Sequence, residues 1–119
     1  KRDDLPLTYA EVDHRNWVKA MEACLSDAAV APPTIDSRSC RFGLWYHGEG
    51  HTRYHHHPEF AAIDPVHEAV HALGSELVAL RISGHADKAR QRLDELHTLR
   101  DELIRCLHAL SAVMVQQQA

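Results

Sequence analysis

Histidine and cysteine are the residue types in this chain best suited to chemistry. The 119-residue sequence contains 11 histidines and three cysteines. His67 and His71 are four residues apart in a segment of helical periodicity, so both imidazoles lie on one helix face and can chelate one metal ion. Taken alone, two surface histidines in a histidine-rich chain would explain this pair equally well.

Cys40 supplies a soft ligand for the same site, because a thiolate combined with imidazoles favours zinc over magnesium or calcium. The alternative is a small buried hydrophobe, which is our interpretation of Cys24 and Cys106, since both lie within helical apolar stripes. His14 lies on the apolar face of the first helix, one turn before Trp17. A lone histidine there is usually a core residue, yet it would complete a tetrahedral set of three histidines and one cysteine.

The other histidines show no comparable spacing. Five of them follow Cys40 in a polar stretch: His47, His51, His55, His56 and His57. We interpret this stretch as a solvated loop. The alternative is a second, weaker metal site or a route for zinc into the protein. Three more fall in the C-terminal half of the chain, at spacings that form no metal site, and are expected at the surface or an interface: His85, His97 and His108.

Apolar periodicity predicts an all-α fold with three long helices and one short helix, and no segment has the alternation of a strand. The long helices are predicted at residues 9–28, 65–83 and 86–115. The predicted N-caps are Thr8, paired with Glu11 in a capping box, and Asp64, which is followed by Pro65. Gly84 is expected to end the second long helix, which places the last two helices antiparallel.

The short helix is predicted at residues 40–45, where it carries Cys40 and Trp45. Asp36 is its predicted N-cap, and Gly48 and Gly50 are expected to stop it. Residues 51–58 are predicted to form a loop. Gly43 is expected to permit tight packing or an unusual backbone angle directly after the cysteine.

The composition is that of one globular domain, with 45% hydrophobic and 25% charged residues. The net charge of −4 and the lack of a basic patch argue against nucleic-acid binding. Three widely spaced cysteines favour a reducing cytoplasm over a disulfide framework. No run is apolar enough for a signal peptide or a membrane span, so no membrane contact is expected. We expect a single domain over residues 1–119, with its core at about 9–115, that is part of a longer protein.

The residues around Cys40 resemble a known signature. Cys40-Arg-Phe-Gly43-Leu-Trp45 is similar to the Cys-x-[Leu/Phe]-Gly-x-Trp motif of the bacterial chemoreceptor zinc-binding domain family. His14-x-x-Trp17 and His67-x-x-x-His71 match the rest of that pattern in order and approximate spacing, and the resemblance spans about residues 9–110. It implies one Zn²⁺ bound by His14, Cys40, His67 and His71. It also implies a four-helix-bundle-like domain that forms homodimers, with an additional short helix bearing Cys40 and held by the inward packing of Trp45.

The resemblance also implies a function. Members of the family are attached to cytosolic chemoreceptors and diguanylate cyclases, where they act as regulatory zinc sensors. In some members the zinc-bound cysteine is thought to respond to hypochlorous acid. Elementary chemistry agrees, because a zinc-bound thiol is deprotonated, and oxidation to the sulfenic acid would weaken its bond to the metal. We therefore expect Cys40 to be redox-sensitive.

Two other functions fit a metal-binding helical domain. A zinc hydrolase needs an open coordination position and a general base, and the chain has no His-Glu-x-x-His motif. A di-iron carrier needs paired carboxylates among its ligands, whereas a thiolate is present here. We therefore expect a non-catalytic domain. Partners for the outer nitrogens of the histidine ligands are expected, with Asp13, Asp64 and Glu68 as candidates.

Overall fold

The computed structural model describes residues 4–37 and 40–118, with side chains as far as Gln116, and the secondary structure it assigns to them is helical. The predicted all-α, bundle-like fold is confirmed. In chain order the elements are α1 (Leu5–Ser26), α2 (Arg41–Trp45), a π-helical turn (Tyr46–Gly50), α3 (His51–Tyr54), α4 (Pro58–Ala61), α5 (Ile63–Ile82), α6 (Ala86–Gln91) and α7 (Leu93–Gln118).

The first long helix begins four residues before its predicted start. Its N-cap is Asp4 rather than Thr8, because Pro6 presets the backbone of the first turn and is well tolerated there. The predicted capping box is therefore wrong, and the helix ends at Ser26 rather than at residue 28. Spacings of three and four residues predict an apolar stripe of Ala10, His14, Trp17, Met21, Cys24 and Ala28 on this helix. Four of these residues are buried: Ala10, His14, Met21 and Cys24.

The predicted stop is met at Gly48, where the chain kinks because this residue leaves helical backbone angles. Gly50 does not end a helix, since α3 begins at the next residue. Five of the eight residues in the predicted loop at 51–58 are helical, four in α3 and Pro58 in α4. Only Gly48 departs from helical backbone angles, with φ −111° and ψ −112°. A Cβ at Gly50 would lie 2.9 Å from the Trp45 ring, so this glycine provides close packing rather than a helix end.

The second half of the chain is an antiparallel pair, α5 and α7, joined by α6. Gly84, at φ +85°, ends α5 as predicted, since glycine adopts this left-handed conformation at little cost. The last helix, predicted to be continuous, is instead interrupted at Arg92, where φ is −99° and ψ is 5°. Its guanidinium contacts Glu76 of α5 at 2.9 Å and Glu95 of α7 at 2.8 Å, which stabilises the break.

The core lies where α1, α5 and α7 meet. Burial of each large apolar side chain there contributes roughly 1.5–3 kcal/mol, which outweighs local propensity in fixing the helix faces. Among the residues that the structure describes, none of the helices has the length and apolar character required to cross a membrane. The largest fully buried apolar side chains are Met21, Leu25, Ile63, Leu77, Leu96, Leu103, Leu107, Leu110 and Met114.

Hydrogen bonds from α1 and α5 hold the segment between α1 and α2 in place, although this segment has no regular secondary structure. Arg81 of α5 donates to the carbonyl oxygens of Ala28 and Val30 at 2.6 and 2.7 Å. The indole Nε1 of Trp17 donates to the carbonyl of Thr34 at 2.6 Å. These bonds fix the path of the backbone that leads to Cys40.

Candidate metal centre

Four donor side chains from three parts of the fold converge at one point. His14 comes from α1, Cys40 from the residue before α2, and His67 and His71 from α5. One ligand atom from each lies within 4.8 Å of those of the other three, and Cys40 Sγ is 3.5 Å from His67 Nε2. Zinc bonds of about 2.0–2.3 Å in a tetrahedron separate ligand atoms by about 3.3–3.8 Å. The four donors are thus close to the spacing that a zinc ion requires.

The three imidazoles are buried and stand edge-on to one another. Their exposed fractions are 3% for His14, 1% for His67 and 4% for His71. The ring centroids are separated by 4.7 to 5.8 Å, with interplanar angles near 80°. Phe42 presents its ring edge-on to His67 at 5.1 Å, and Trp17 lies 5.0 Å from His71. Aromatic side chains therefore shield the donors from water.

Backbone carbonyls orient two of the rings. Nδ1–H of His14 donates to the carbonyl of Ala10 at 2.8 Å, and Nδ1–H of His71 donates to that of Ile35 at 3.0 Å. In both rings this bond leaves the lone pair on Nε2, which is the arrangement that a metal ligand needs.

The carboxylates considered for this orienting role have other partners. Asp13 forms a two-point ion pair with Arg41, with N–O distances of 2.8 and 2.9 Å. Glu68 accepts a hydrogen bond from the hydroxyl of Ser37 at 2.7 Å. Oδ1 of Asp64 lies 3.8 Å from Nε2 of His47. The expectation of a carboxylate partner is therefore not met for His14 or His71, because a nearby carbonyl satisfies each ring.

The donor set fits a zinc ion. The buried Nε2 of His71 has no hydrogen-bond partner among the described residues, and neither has the buried Nδ1 of His67. A buried nitrogen left without a partner costs about 1–3 kcal/mol. Coordination of a metal ion by His71 Nε2 would remove that cost. Three imidazoles and one thiolate are also a ligand set that suits tetrahedral zinc.

Cys40 is itself the N-cap of α2, a role that the sequence analysis gave to Asp36. Its Sγ accepts a hydrogen bond from the Gly43 N–H at 3.2 Å and lies 3.2 Å from the Ser37 carbonyl, to which the thiol donates. Burial raises the pKa of the Cys40 thiol, and the amides of Gly43 and Phe42 partly oppose this. Metal binding must therefore displace a proton from the thiol.

The buried histidines are held neutral. Burial, followed by repulsion from His14 and His71, lowers the pKa of His67 to about 3. Burial also lowers the pKa values of His14 and His71. Neutral imidazoles have the lone pairs that a metal requires, so the histidines are ready to bind at neutral pH.

The three residues expected to pack around the motif have distinct contacts. Trp17 packs on His71 and lies so close to Gly74 that a Cβ there would be 2.4 Å from the indole ring. Gly43 is buried and its amide reaches Cys40. Trp45 is half-buried, with its ring 5.9 Å from that of Phe42. Trp17 thus joins α1 to α5, and the contacts of Gly43 and Trp45 lie within the cysteine helix, which Phe42 connects to His14 of α1 and His67 of α5.

A small cavity of about 70 Å³ lies beside the donors. Asp13 and Arg41 form part of its rim, and the guanidinium of Arg41 also stacks over the ring of Tyr9 at 5.0 Å. The ion pair thus stands between the buried donors and solvent.

The remaining cysteines lie apart from the cluster. Cys24 is buried and its thiol donates to the carbonyl of Met21, which agrees with a structural role. Cys106 is half-buried on α7. Of the histidines on α7, His97 pairs with Glu22 and His108 with Glu11, so both link α7 to α1.

A comparison with protein families decides the identity of the domain. The family description that matches is the chemoreceptor zinc-binding domain, over residues 14–78, which is more than half of the chain. The chain belongs to this family. No curated protein and no solved structure matches it. As a chemoreceptor zinc-binding domain it is a zinc-binding signalling domain, and the family match begins at His14 and includes the other three clustered donors.

Sequence reasoning missed the use of backbone carbonyls to orient His14 and His71 in this chemoreceptor zinc-binding domain, because residue types give no signal for it. A second, weaker metal site that includes His47 was left as the alternative to a solvated loop, without carboxylate partners. The structure brings His47 to Asp64 and Glu68, and the spacing of four residues between these two carboxylates was a signal for the group.

Proposed function

We propose that this domain is the sensory part of a bacterial cytoplasmic signalling protein, in which His14, Cys40, His67 and His71 bind one zinc ion. The observation that supports it best is the convergence of these four donors within 4.8 Å. The buried Nε2 of His71, which has no hydrogen-bond partner among the described residues, adds to it. Gain or loss of the ion is the proposed signal.

Binding or loss of the metal ion would affect the rest of the fold through the helices that carry the four donors. A bound zinc ion would cross-link α1, the start of α2 and α5, and its free energy of binding would stabilise that packing. Loss of zinc leaves buried donors without partners and loosens the same contacts. An attached output domain, either a chemoreceptor signalling bundle or a diguanylate cyclase, would respond to this change.

The proposed role is regulatory rather than catalytic. A catalytic zinc keeps one position open for water or substrate, whereas the four donors gathered here would fill a tetrahedral shell. A filled tetrahedral shell favours a sensor over the zinc hydrolase that also fits a zinc-binding sequence.

Cys40 is the proposed point of oxidant sensing. When bound, zinc holds this sulfur as the nucleophilic thiolate. The Cys40 thiolate reacts with hypochlorous acid, so that the sulfur is oxidised by two electrons to the sulfenic acid and the oxidant leaves as chloride. The sulfenic acid is a weaker ligand, so the ion dissociates.

A homodimer is also part of the proposal, and α1 offers a surface for it. Leu5, Tyr9 and Val12 follow a helical spacing and are exposed by 38%, 48% and 52%. If they form the interface, Val12→Glu should convert a dimer to a monomer in light scattering. Ile82→Glu, at a position on α5 that is 79% exposed, should leave the dimer intact. A wild-type monomer would contradict the proposed dimer, and a variant Val12→Glu that still dimerises would exclude this surface.

Zinc content and oxidant-driven release test the sensor directly. The purified domain should contain one zinc per chain, Cys40→Ser should lose it, and Cys24→Ala should keep it. One equivalent of hypochlorous acid should release zinc to a chromophoric chelator from wild type and from Cys24→Ala alike, with oxidation at Cys40 in mass spectra. Retention by Cys40→Ser of one tight equivalent of zinc, with the affinity of wild type, would overturn the ligand assignment. Release without modification of Cys40 would overturn the redox role alone.

A further inference from the structure

A second group of metal-binding residue types lies outside the four-donor cluster. His47, Asp64 and Glu68 each offer one ligand atom, and these atoms lie within 4.8 Å of one another. Nε2 of His47 is 3.8 Å from Oδ1 of Asp64. This group shares no residue with the first cluster, so it is a separate possible site.

The fold brings these three side chains together from two elements. Asp64 and Glu68 are one turn apart on α5, which places both carboxylates on the same helix face. His47 comes from the segment Tyr46–Gly50, directly before the kink at Gly48. Because α5 also carries His67 and His71, the two sites lie side by side on one helix.

One atom of the group needs a partner. Oδ1 of Asp64 is buried and has no hydrogen-bond partner among the described residues, although the rest of the side chain reaches solvent. It lies beside a cavity of about 340 Å³ whose lining includes His47, His51 and His55. A cation bound there would satisfy the oxygen, and the additional imidazoles could adjust towards it.

We propose that His47, Asp64 and Glu68 form a second site for a divalent first-row transition metal ion of the zinc class. One imidazole and two carboxylates suit such an ion, and no thiolate is present to favour softer metals. Three protein ligands leave coordination positions to water, and the side chains are accessible, so this site binds more weakly than the four-donor site. Glu68 keeps one oxygen for the metal while its other oxygen accepts from Ser37.

Cobalt distinguishes the two sites. The domain is first given one equivalent of zinc and is then titrated with Co²⁺, with binding followed by calorimetry and by visible absorption. A second equivalent should bind and show no thiolate-to-cobalt charge-transfer band, because this site has no sulfur. His47→Ala and Glu68→Gln should each weaken that equivalent at least about tenfold. His56→Ala, at an exposed position outside the group, should leave it unchanged.

The second site does not depend on the proposed sensor function, and a Cys40→Ser variant separates the two. That variant should lose the tight equivalent and keep the weak one. Circular dichroism shows whether each variant is folded. Glu68 is substituted rather than Asp64, because Glu68 is exposed whereas one oxygen of Asp64 is buried. The second site is refuted if no second equivalent binds at about 1 mM Co²⁺. It is equally refuted if His47→Ala and Glu68→Gln bind as wild type, or if His56→Ala weakens binding as much as they do.

Discussion

The Sγ atom of Cys40 lies 3.5 Å from Nε2 of His67, although 27 residues separate the two in sequence. The intervening chain makes a helical run, a turn and a short helix before it reaches α5. At this distance the thiol of Cys40 contacts the imidazole of His67, and the aromatic rings of Phe42 and Trp17 pack around the donor cluster. Binding of zinc by all four donors requires this juxtaposition and the approach of His14 and His71 to the same point.

Gly74→Ala should destabilise the domain and weaken zinc binding. The added Cβ would lie 2.4 Å from the indole of Trp17, which packs against His71. Overpacking costs about 1–3 kcal/mol, whereas the gain in helix propensity is about 1 kcal/mol. The net loss in the free energy of unfolding should therefore be up to about 2 kcal/mol, measured by urea denaturation.

Ser75→Ala is the matched control for Gly74→Ala, since residue 75 is exposed on the same helix. It should raise stability by no more than about 0.5 kcal/mol and leave zinc affinity unchanged. If Gly74→Ala is as stable as wild type and binds zinc equally well, the packing of Trp17 does not support the site.

Arg81→Ala should loosen the segment that leads to Cys40. The guanidinium donates to two carbonyls of that segment, and hydrogen bonds from a charged group contribute about 1.5–3 kcal/mol. Stability should fall by about 2 kcal/mol, and zinc should dissociate faster to a competing chelator, because the same segment supplies the Ile35 carbonyl that orients His71. Arg105→Ala, at an exposed position on α7, should change neither quantity. Equal rates of zinc loss from both variants would argue against this positioning role.

The metal-free domain should become less stable as the pH falls below 6.5. Burial lowers the pKa of His67 from 6.5 to about 3, and the pKa values of His14 and His71 are also lowered. Between these two pH values the unfolded chain binds more protons than the folded chain, so the free energy of unfolding decreases with acid. Each excess proton contributes a slope of about 1.4 kcal/mol per pH unit.

Denaturation of the metal-free domain at several pH values tests this expectation. His67→Gln removes one of the excess protons, so its slope should be shallower by up to about 1.4 kcal/mol per pH unit. An identical slope in wild type and His67→Gln would show that His67 is not held neutral by burial.

The helix faces and the residues of the four-donor cluster are features that the sequence could predict. Apolar spacing identified the buried faces of the long helices, because burial of side chains such as Leu77 and Leu103 dominates the energetics. The spacing of His67 and His71 follows from the helical repeat alone. Cys40 and His14 were identifiable through residue chemistry and the family motif, and the structure places both beside that pair.

Helix boundaries and backbone contacts were not predictable in the same way. Gly48 and Gly50 suggested a helix end, and only Gly48 kinks the chain, whereas Gly50 keeps helical backbone angles close to the Trp45 ring. The break at Arg92 depends on ion pairs with a neighbouring helix. The carbonyl of Ile35 reaches His71 across 36 residues, and its position is set by tertiary structure rather than by residue type.

X-ray absorption at the zinc edge tests the central claim most directly, because it reports the atoms bound to the metal. The purified, zinc-loaded domain should show one zinc per chain, with about three nitrogens at about 2.0–2.1 Å and one sulfur at about 2.3 Å. The sulfur should disappear in whatever zinc Cys40→Ser retains and remain in Cys24→Ala. A wild-type shell of nitrogen and oxygen without sulfur, or a sulfur that persists in Cys40→Ser, would contradict the assignment of His14, Cys40, His67 and His71 as the zinc ligands.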